Sequence, residues 1–210
     1  MKQQCAVWIL TALSMSLARQ PAFAQAEPSY DLRDITVGMP VAEIPNSGYV
    51  NLTCASDTAR KIAAWSEWRE CPSDKDAVHP IRFDFDPLTS REGTLVAGHP
   101  VVLTALIDDK GTVSGLQIDT DPKARLFMRK KAFLFATQVK SRYGSEGWTC
   151  TERQPEHGEQ PVGGVFVSES CKKAVRGRNL VVERDLFRRP DQDPKNFVDE
   201  TRVTITREAK

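Results

Sequence analysis

The chain has 210 residues, 40% of them apolar and 27% charged, with a formal net charge of +1. This balance suits a folded globular protein rather than a disordered one, and it gives no general attraction to nucleic acid or acidic substrates. The length fits one domain of moderate core, or at most two small lobes.

Residues 1–24 read as an export signal. Lys2 supplies the positive end, Ala6 to Ala18 form an apolar stretch too short to span a bilayer, and Ala22-Phe23-Ala24 is a small-x-small cleavage pattern before Gln25. Losing this leader removes Lys2 and Arg19 but no acid, so the formal charge becomes −1. No later apolar run is long enough for a transmembrane helix, and Cys5 precedes the apolar region, where it cannot be a lipid anchor at the cleavage point. The expected address is periplasmic or secreted. Residues 25–210 are expected to form a single α+β domain, with 25–75 a helical and loop part and 76–210 the sheet and a long helix.

The elements follow in chain order. Tyr30 to Ile35 reads as an extended lead-in, and Val41 to Ile44 as one helical turn cut off by Pro45. Asn51-Leu52-Thr53 matches a glycosylation acceptor, which matters only in a eukaryotic secretory pathway, whereas the short signal looks bacterial. Ser56 or Asp57 is a candidate cap for a short helix toward Arg69, with Ile62, Trp65 and Trp68 as its apolar stripe. The two tryptophans read as a plug on a small core rather than an aromatic binding surface. Ile81, Phe83 and Phe85 alternate with polar residues, a half-buried strand. Val101 to Ile107 is apolar on both faces and reads as a central, covered strand. Asp108 to Gly111 is a hairpin turn, and Thr112 to Thr120 returns, with Gly115 a candidate bulge.

Asp121-Pro122 then opens the one long helix, ending near Tyr143-Gly144. Ala124, Met128, Ala132, Phe135, Val139 and Tyr143 follow helical spacing and are expected on the sheet. Two further apolar pairs, Leu126 with Phe133 and Phe127 with Leu134, stand seven residues apart. Seven basic residues lie between Pro122 and Ser145 with no acid among them: Lys123, Arg125, Arg129, Lys130, Lys131, Lys140 and Arg142. Three strands follow at Val165 to Cys171, Leu180 to Phe187 and Thr201 to Thr206, the last two separated by an exposed loop at Arg189 to Lys195. The predicted fold is α+β: an antiparallel sheet of five to six strands packed against one long helix, with short N-terminal helices and two disulfides.

Cys54, Cys71, Cys150 and Cys171 allow three disulfide connectivities. Cys54–Cys71 with Cys150–Cys171 is preferred, since each closes a local loop, worth about 3 kcal/mol. A metal or redox site is disfavoured because no Cys-x-x-Cys pair occurs and the histidines stand apart.

Motifs that could carry catalysis read as structural. Ser170-Cys171-Lys172-Lys173 matches Ser-x-x-Lys, but that chemistry needs a helix start and this segment reads as a strand. Asp84 and Asp86 share a wet strand face, and paired glycosidase carboxylates normally come from different elements. Asp191-x-Asp193 lacks the glycine and glutamate of a calcium loop, and His79, His99 and His157 are scattered. Neither a cofactor site nor a metal site is predicted.

Ile35-x-x-Gly38-Met39-x-x-x-Glu43-Ile44, followed later by strands, resembles the opening of small outer-membrane assembly lipoproteins and β-lactamase-inhibitor-like domains. That resemblance implies a helical pair packed on an antiparallel sheet; Pro45 and the missing anchor cysteine depart from it. Gly38-Met39-Pro40 to Gly48-Tyr49, Arg129-Lys130-Lys131-Ala132 to Trp148-Thr149-Cys150, and Pro161-Val162-Gly163-Gly164 are similar to a family of uncharacterised exported proteobacterial proteins. It implies a periplasmic address and no particular activity.

The expected function is non-catalytic binding of an envelope protein partner through the basic helix, at Lys123, Phe127, Lys130, Lys131 and Leu134. An anionic lipid surface is a weaker candidate for the same residues, and no nucleic acid is expected. The bland alternative is that Lys and Arg stems cover the helix flanks while their heads stay in water, with a second layer of the chain, such as the Cys150–Cys171 loop, over Phe127 and Leu134. Rival functions are a small periplasmic hydrolase with residues scattered in sequence, recognisable by a cleft with a perturbed His or carboxylate, and a lipid or small-ligand carrier, recognisable by a sizeable cavity.

Overall fold

A computed structural model describes residues 31–190, 193 and 196–208, so the leader read at 1–24 and most of the Arg189 to Lys195 loop lie outside the described residues. Among the described residues ten strands form one antiparallel sheet. They are β1 (Tyr49–Cys54), β2 (Asp57–Lys61), β3 (Val78–Phe85), β4 (Leu95–Val96), β5 (His99–Asp108), β6 (Val113–Thr120), β7 (Thr149–Glu152), β8 (Val167–Val175), β9 (Arg178–Phe187) and β10 (Val198–Arg207). Their order is β2-β1-β3-β5-β6-β10-β9-β8-β7, with β4 paired to β5 off the main path. Two short helices, α1 (Leu126–Arg129) and α2 (Ala132–Arg142), connect β6 to β7.

The predicted five to six strands on one long helix is therefore corrected: the protein is mostly β. The helix expected from Asp121 to Tyr143 is broken. Residues 121–125 are turn and bend, and the chain kinks at Lys130-Lys131, where Lys131 N–H bonds to Met128 O and Leu134 N–H to Lys131 O in 3-10 fashion. Neither helix has a side-chain cap or an acid in its first turn, and three consecutive cations, Arg129-Lys130-Lys131, repel one another at the kink. Tertiary bonds hold the broken geometry: Thr201 Oγ1 donates to Ala132 O at 2.8 Å, and Arg129 Nη2 donates to Phe197 O at 2.8 Å. Gly144, at φ +89°, ends α2 as read.

The N-terminal part differs as well. Leu32 and Ile35 form a tight turn in place of an extended lead-in. Residues 49–61 form the β1–β2 hairpin, whose second strand occupies the start of the helix predicted from Ser56 or Asp57 toward Arg69, and among the described residues this N-terminal part is helical only as 3-10 turns at Val41–Glu43 and Trp65–Glu70. The helical pair implied by the resemblance over Ile35 to Ile44 is not formed. The predicted stripe is nonetheless buried, with Ile62, Trp65 and Trp68 all inside the core and Trp65 edge-on to Phe83 at 5.2 Å.

One face of the sheet carries the core. Ile81, Phe83, Leu103, Ala105, Ile107, Leu116, Ile118, Leu180, Val182, Val203 and Ile205 are all buried there. The 3-10 turns and the Ile35–Val37 segment cover one half, and α2 covers the other through Phe135, Ala136 and Val139. The opposite face is wet, so β5 is fully covered on one side only, and in register across it stand Asp119, Arg202 and Glu183. Gly115 lies opposite a register shift in β5, and a Cβ there would come 3.0 Å from Ile205 O, so a larger residue would press on the β10 backbone where it pairs with β6.

Both preferred disulfides are present, Cys54–Cys71 joining β1 to the end of the second 3-10 turn and Cys150–Cys171 joining β7 to β8. No described helix is long and apolar enough to cross a membrane.

Phe135 is fully buried whereas Phe127 is 56% exposed. Phe135→Ala should cost about 3–5 kcal/mol in denaturant unfolding, and Phe127→Ala less than about 0.5 kcal/mol. Equal effects would contradict this assignment of faces.

Candidate functional site

The crossover from β6 to β7 lies on the core face with only one side used. Ala132 sits over β10 through the Thr201 bond, and the far end of α2 reaches β8, where Lys140 Nζ is 2.7 Å from Glu169 Oε1. Lys173 Nζ, also from β8, donates to the carbonyls of Tyr143, Gly144 and Glu146 at 2.7–2.8 Å and caps the C-terminus of α2. With Phe135, Ala136 and Val139 turned to the sheet, the remaining apolar residues point away. Leu126 is 44% exposed, Phe127 56%, Phe133 50% and Leu134 38%. Among the described residues no second layer, and not the Cys150–Cys171 loop, covers Phe127 and Leu134.

The structure gathers four of the five expected residues. Phe127, Lys130, Lys131 and Leu134 share the exposed knob made by α1, the kink and α2, with Lys131 Nζ 6.0 Å from the Phe127 ring centroid. Lys123 belongs elsewhere: its N–H bonds to Asp121 Oδ1, and it lines a depression of about 290 Å³ on the wet sheet face with Arg82, Asp119, Glu183, Glu200 and Arg202. Leu126 and Phe133 join the knob. Their seven-residue spacing was visible in the sequence, but which apolar side a second layer would cover was not.

The groups that could carry catalysis are tied into structure. His79 has both ring nitrogens engaged, Nδ1 with Cys71 O at 2.6 Å and Nε2 with Asp109 Oδ1 at 3.1 Å. Asp84 accepts from Asn51 and Thr94, and Asp86 accepts from the Leu88 N–H, so these carboxylates fix loops. The Asn51 amide of the glycosylation pattern is the donor in the first of these bonds. Ser170 and Lys173 lie three residues apart on strand β8, hence on opposite faces of the sheet. In the wet depression, Asp119 is held by Arg202 Nε at 2.6 Å and Gln117 Nε2 at 2.7 Å.

A perturbed ion pair and a perturbed histidine lie under the helices. Asp199 and Arg184 form a buried ion pair at 2.5 Å; burial pushes the carboxyl up and the guanidinium down, in each case against the attraction of the other. His99 is buried beside Phe135, and its Nε2 lies 3.1 Å from Gln138 Oε1. Burial lowers its pKa from the ordinary 6.5; the Gln138 bond opposes that shift and the Lys131 charge adds to it. No nucleophile stands beside either group in the described contacts.

Cys150, Glu169 and Cys171 bring ligand-type atoms within 4.8 Å of one another. They do not fit a cation, because the sulfurs are bonded to each other and the Lys140 ammonium occupies the approach, 3.0 Å from Cys171 Sγ. A cleft of about 240 Å³ lies beside α2 where it packs on the sheet, lined by Val96, Ile118, Phe135, Val139, Val203 and Ile205. That is smaller than the roughly 300–1,000 Å³ typical of ligand pockets.

Compared with family models, curated proteins and solved structures, the chain matches none.

The folded protein takes up a proton on His99 only at lower pH than the unfolded chain does. Between those values the unfolded state binds more protons, so stability falls as pH drops below about 6.5. The difference in melting temperature between the protein and His99→Gln should therefore shrink from pH 7.5 to about pH 5. A constant difference across that range would remove His99 as a titrating group.

Proposed function

We propose that this protein acts by binding, docking an envelope protein on the knob formed by α1 and α2, in the periplasm or outside the cell. The observation that carries this reading is the set Leu126, Phe127, Phe133 and Leu134, each exposed, in a stretch from Pro122 to Ser145 that holds seven cations and no acid. Contiguous exposed apolar residues with a charged rim are the mark of an interaction site, and aromatic anchors dominate such interfaces. The fitting partner is a protein with an apolar groove edged by carboxylates. Two disulfides and the leader-like residues 1–24 support an oxidising address.

A photo-crosslinking side chain in place of Phe133 in intact cells should capture one envelope protein. With that protein purified, Phe127→Ser should weaken binding by about 2 kcal/mol, roughly 30-fold, and Lys130→Glu with Lys131→Glu should abolish it. Crosslinking to phospholipid alone would replace the partner with a membrane surface. Unchanged affinity in both variants would overturn the reading.

A further inference from the structure

We propose that Cys150–Cys171 is a thiol–disulfide exchange site, opened by a dithiol reductant, while Cys54–Cys71 is a permanent staple. This inference is independent of the docking reading. The two bridges differ in surroundings. Cys54 and Cys71 are both 0% exposed, so no thiolate reaches them without unfolding. Cys150 is exposed on β7, a four-residue edge strand with every residue exposed, whereas Cys171 beneath it is buried.

A cation is placed on the buried sulfur. Lys140 reaches down from α2 to put Nζ 3.0 Å from Cys171 Sγ and 4.0 Å from Cys150 Sγ, and Glu169 Oε1 holds the ammonium at 2.7 Å. An ammonium beside one sulfur favours its thiolate form and so makes it the better leaving group. Access and leaving-group stabilisation thus fall on opposite ends of the same bond, as directed exchange requires.

The step balances as follows. A thiolate of the dithiol attacks Cys150 Sγ and forms a mixed disulfide there, the Cys150–Cys171 bond breaks, and its electron pair leaves on Cys171 Sγ facing Lys140. The second thiol of the reductant, deprotonated, attacks the reductant's own sulfur in the mixed disulfide and releases Cys150. Two electrons and two protons pass to the protein, and the reductant leaves as its disulfide. The spacing rule that disfavours a redox site does not apply, because β7–β8 pairing brings Cys150 opposite Cys171 across the ladder.

The test is differential alkylation of the purified, oxidised protein during reduction by dithiothreitol, read by mass spectrometry of the cysteine peptides. Cys150 and Cys171 should be labelled at least about tenfold faster than Cys54 and Cys71. Lys140→Met should slow their opening several-fold, and Lys140→Arg, which restores the cation, should recover most of the rate. Glu169→Gln, which releases Lys140 from its carboxylate, should open at least as fast as the unaltered protein and guards against a folding artefact in Lys140→Met. Simultaneous opening of both bridges, or an unchanged rate in Lys140→Met, would overturn the assignment.

Discussion

The structure depends on where its last strand goes. β10 pairs with β6 over Arg202–Thr206 and Asp119–Gly115, and so joins two hairpin series into one sheet. Because β10 takes that central place, β7, which follows β6 in the chain, must begin four strands away at the far edge. At about 4.8 Å per strand the crossover spans roughly 19 Å, and α2, with eleven residues, covers about 16 Å of it. A connection of that reach has to lie across β10, β9 and β8. It can bury only the side that faces them, and its other side is turned outward by topology.

The contacts of the crossover agree with that constraint from one end to the other. Thr201 fixes the start of α2 over β10, Phe135 fills the middle, and Glu169 and Lys173 hold its end over β8. Lys140 is part of this same chain of contacts, and the ammonium that rests on Cys171 is therefore placed by helix docking, not by a motif in the sequence around either cysteine. Among the described residues Cys54–Cys71 has no such neighbour. Its bridge closes a loop at the opposite end of the sheet, within the core that Trp65 and Trp68 complete.

Alternation made β3, β5, β6, β9 and β10 legible, since Ile81, Leu103, Ile118, Val182 and Val203 each stand between polar neighbours or in a β-rich run and all are buried. Of the strands that were missed, β2 and β7 have no inward face to announce them, whereas β1 buries Tyr49, Leu52 and Cys54. Every residue of β2 and β7 is exposed, and β1 is interrupted at Asn51, which takes φ +56° and shifts the register. The break in the helix was hidden for a different reason. The bonds that stabilise it come from Thr201 and Phe197, about seventy residues on. Four residues of the knob could be picked out from composition and spacing, but their exposure could not, because a second layer over them would have left the same pattern.

Local rules of helix stability are broken where the proposed surface lies. Acids near a helix start oppose the macrodipole favourably, and intervening Glu relieves Lys–Lys repulsion, yet the stretch from Pro122 to Ser145 contains neither, and its helices start without side-chain caps. The acids stand instead on the wet sheet face, where Glu200 is paired across the ladder with Asp185, a like-charge arrangement that costs stability in its turn. A sequence under pressure only to fold would exchange charges between these regions and gain in both. That it keeps cations on the knob and acids on the sheet is a conflict between local preference and observed structure, and such conflicts gather where a surface is shaped for something other than stability. The knob, not the sheet, combines that conflict with exposed aromatic side chains, and this is why the binding reading rests on α1 and α2.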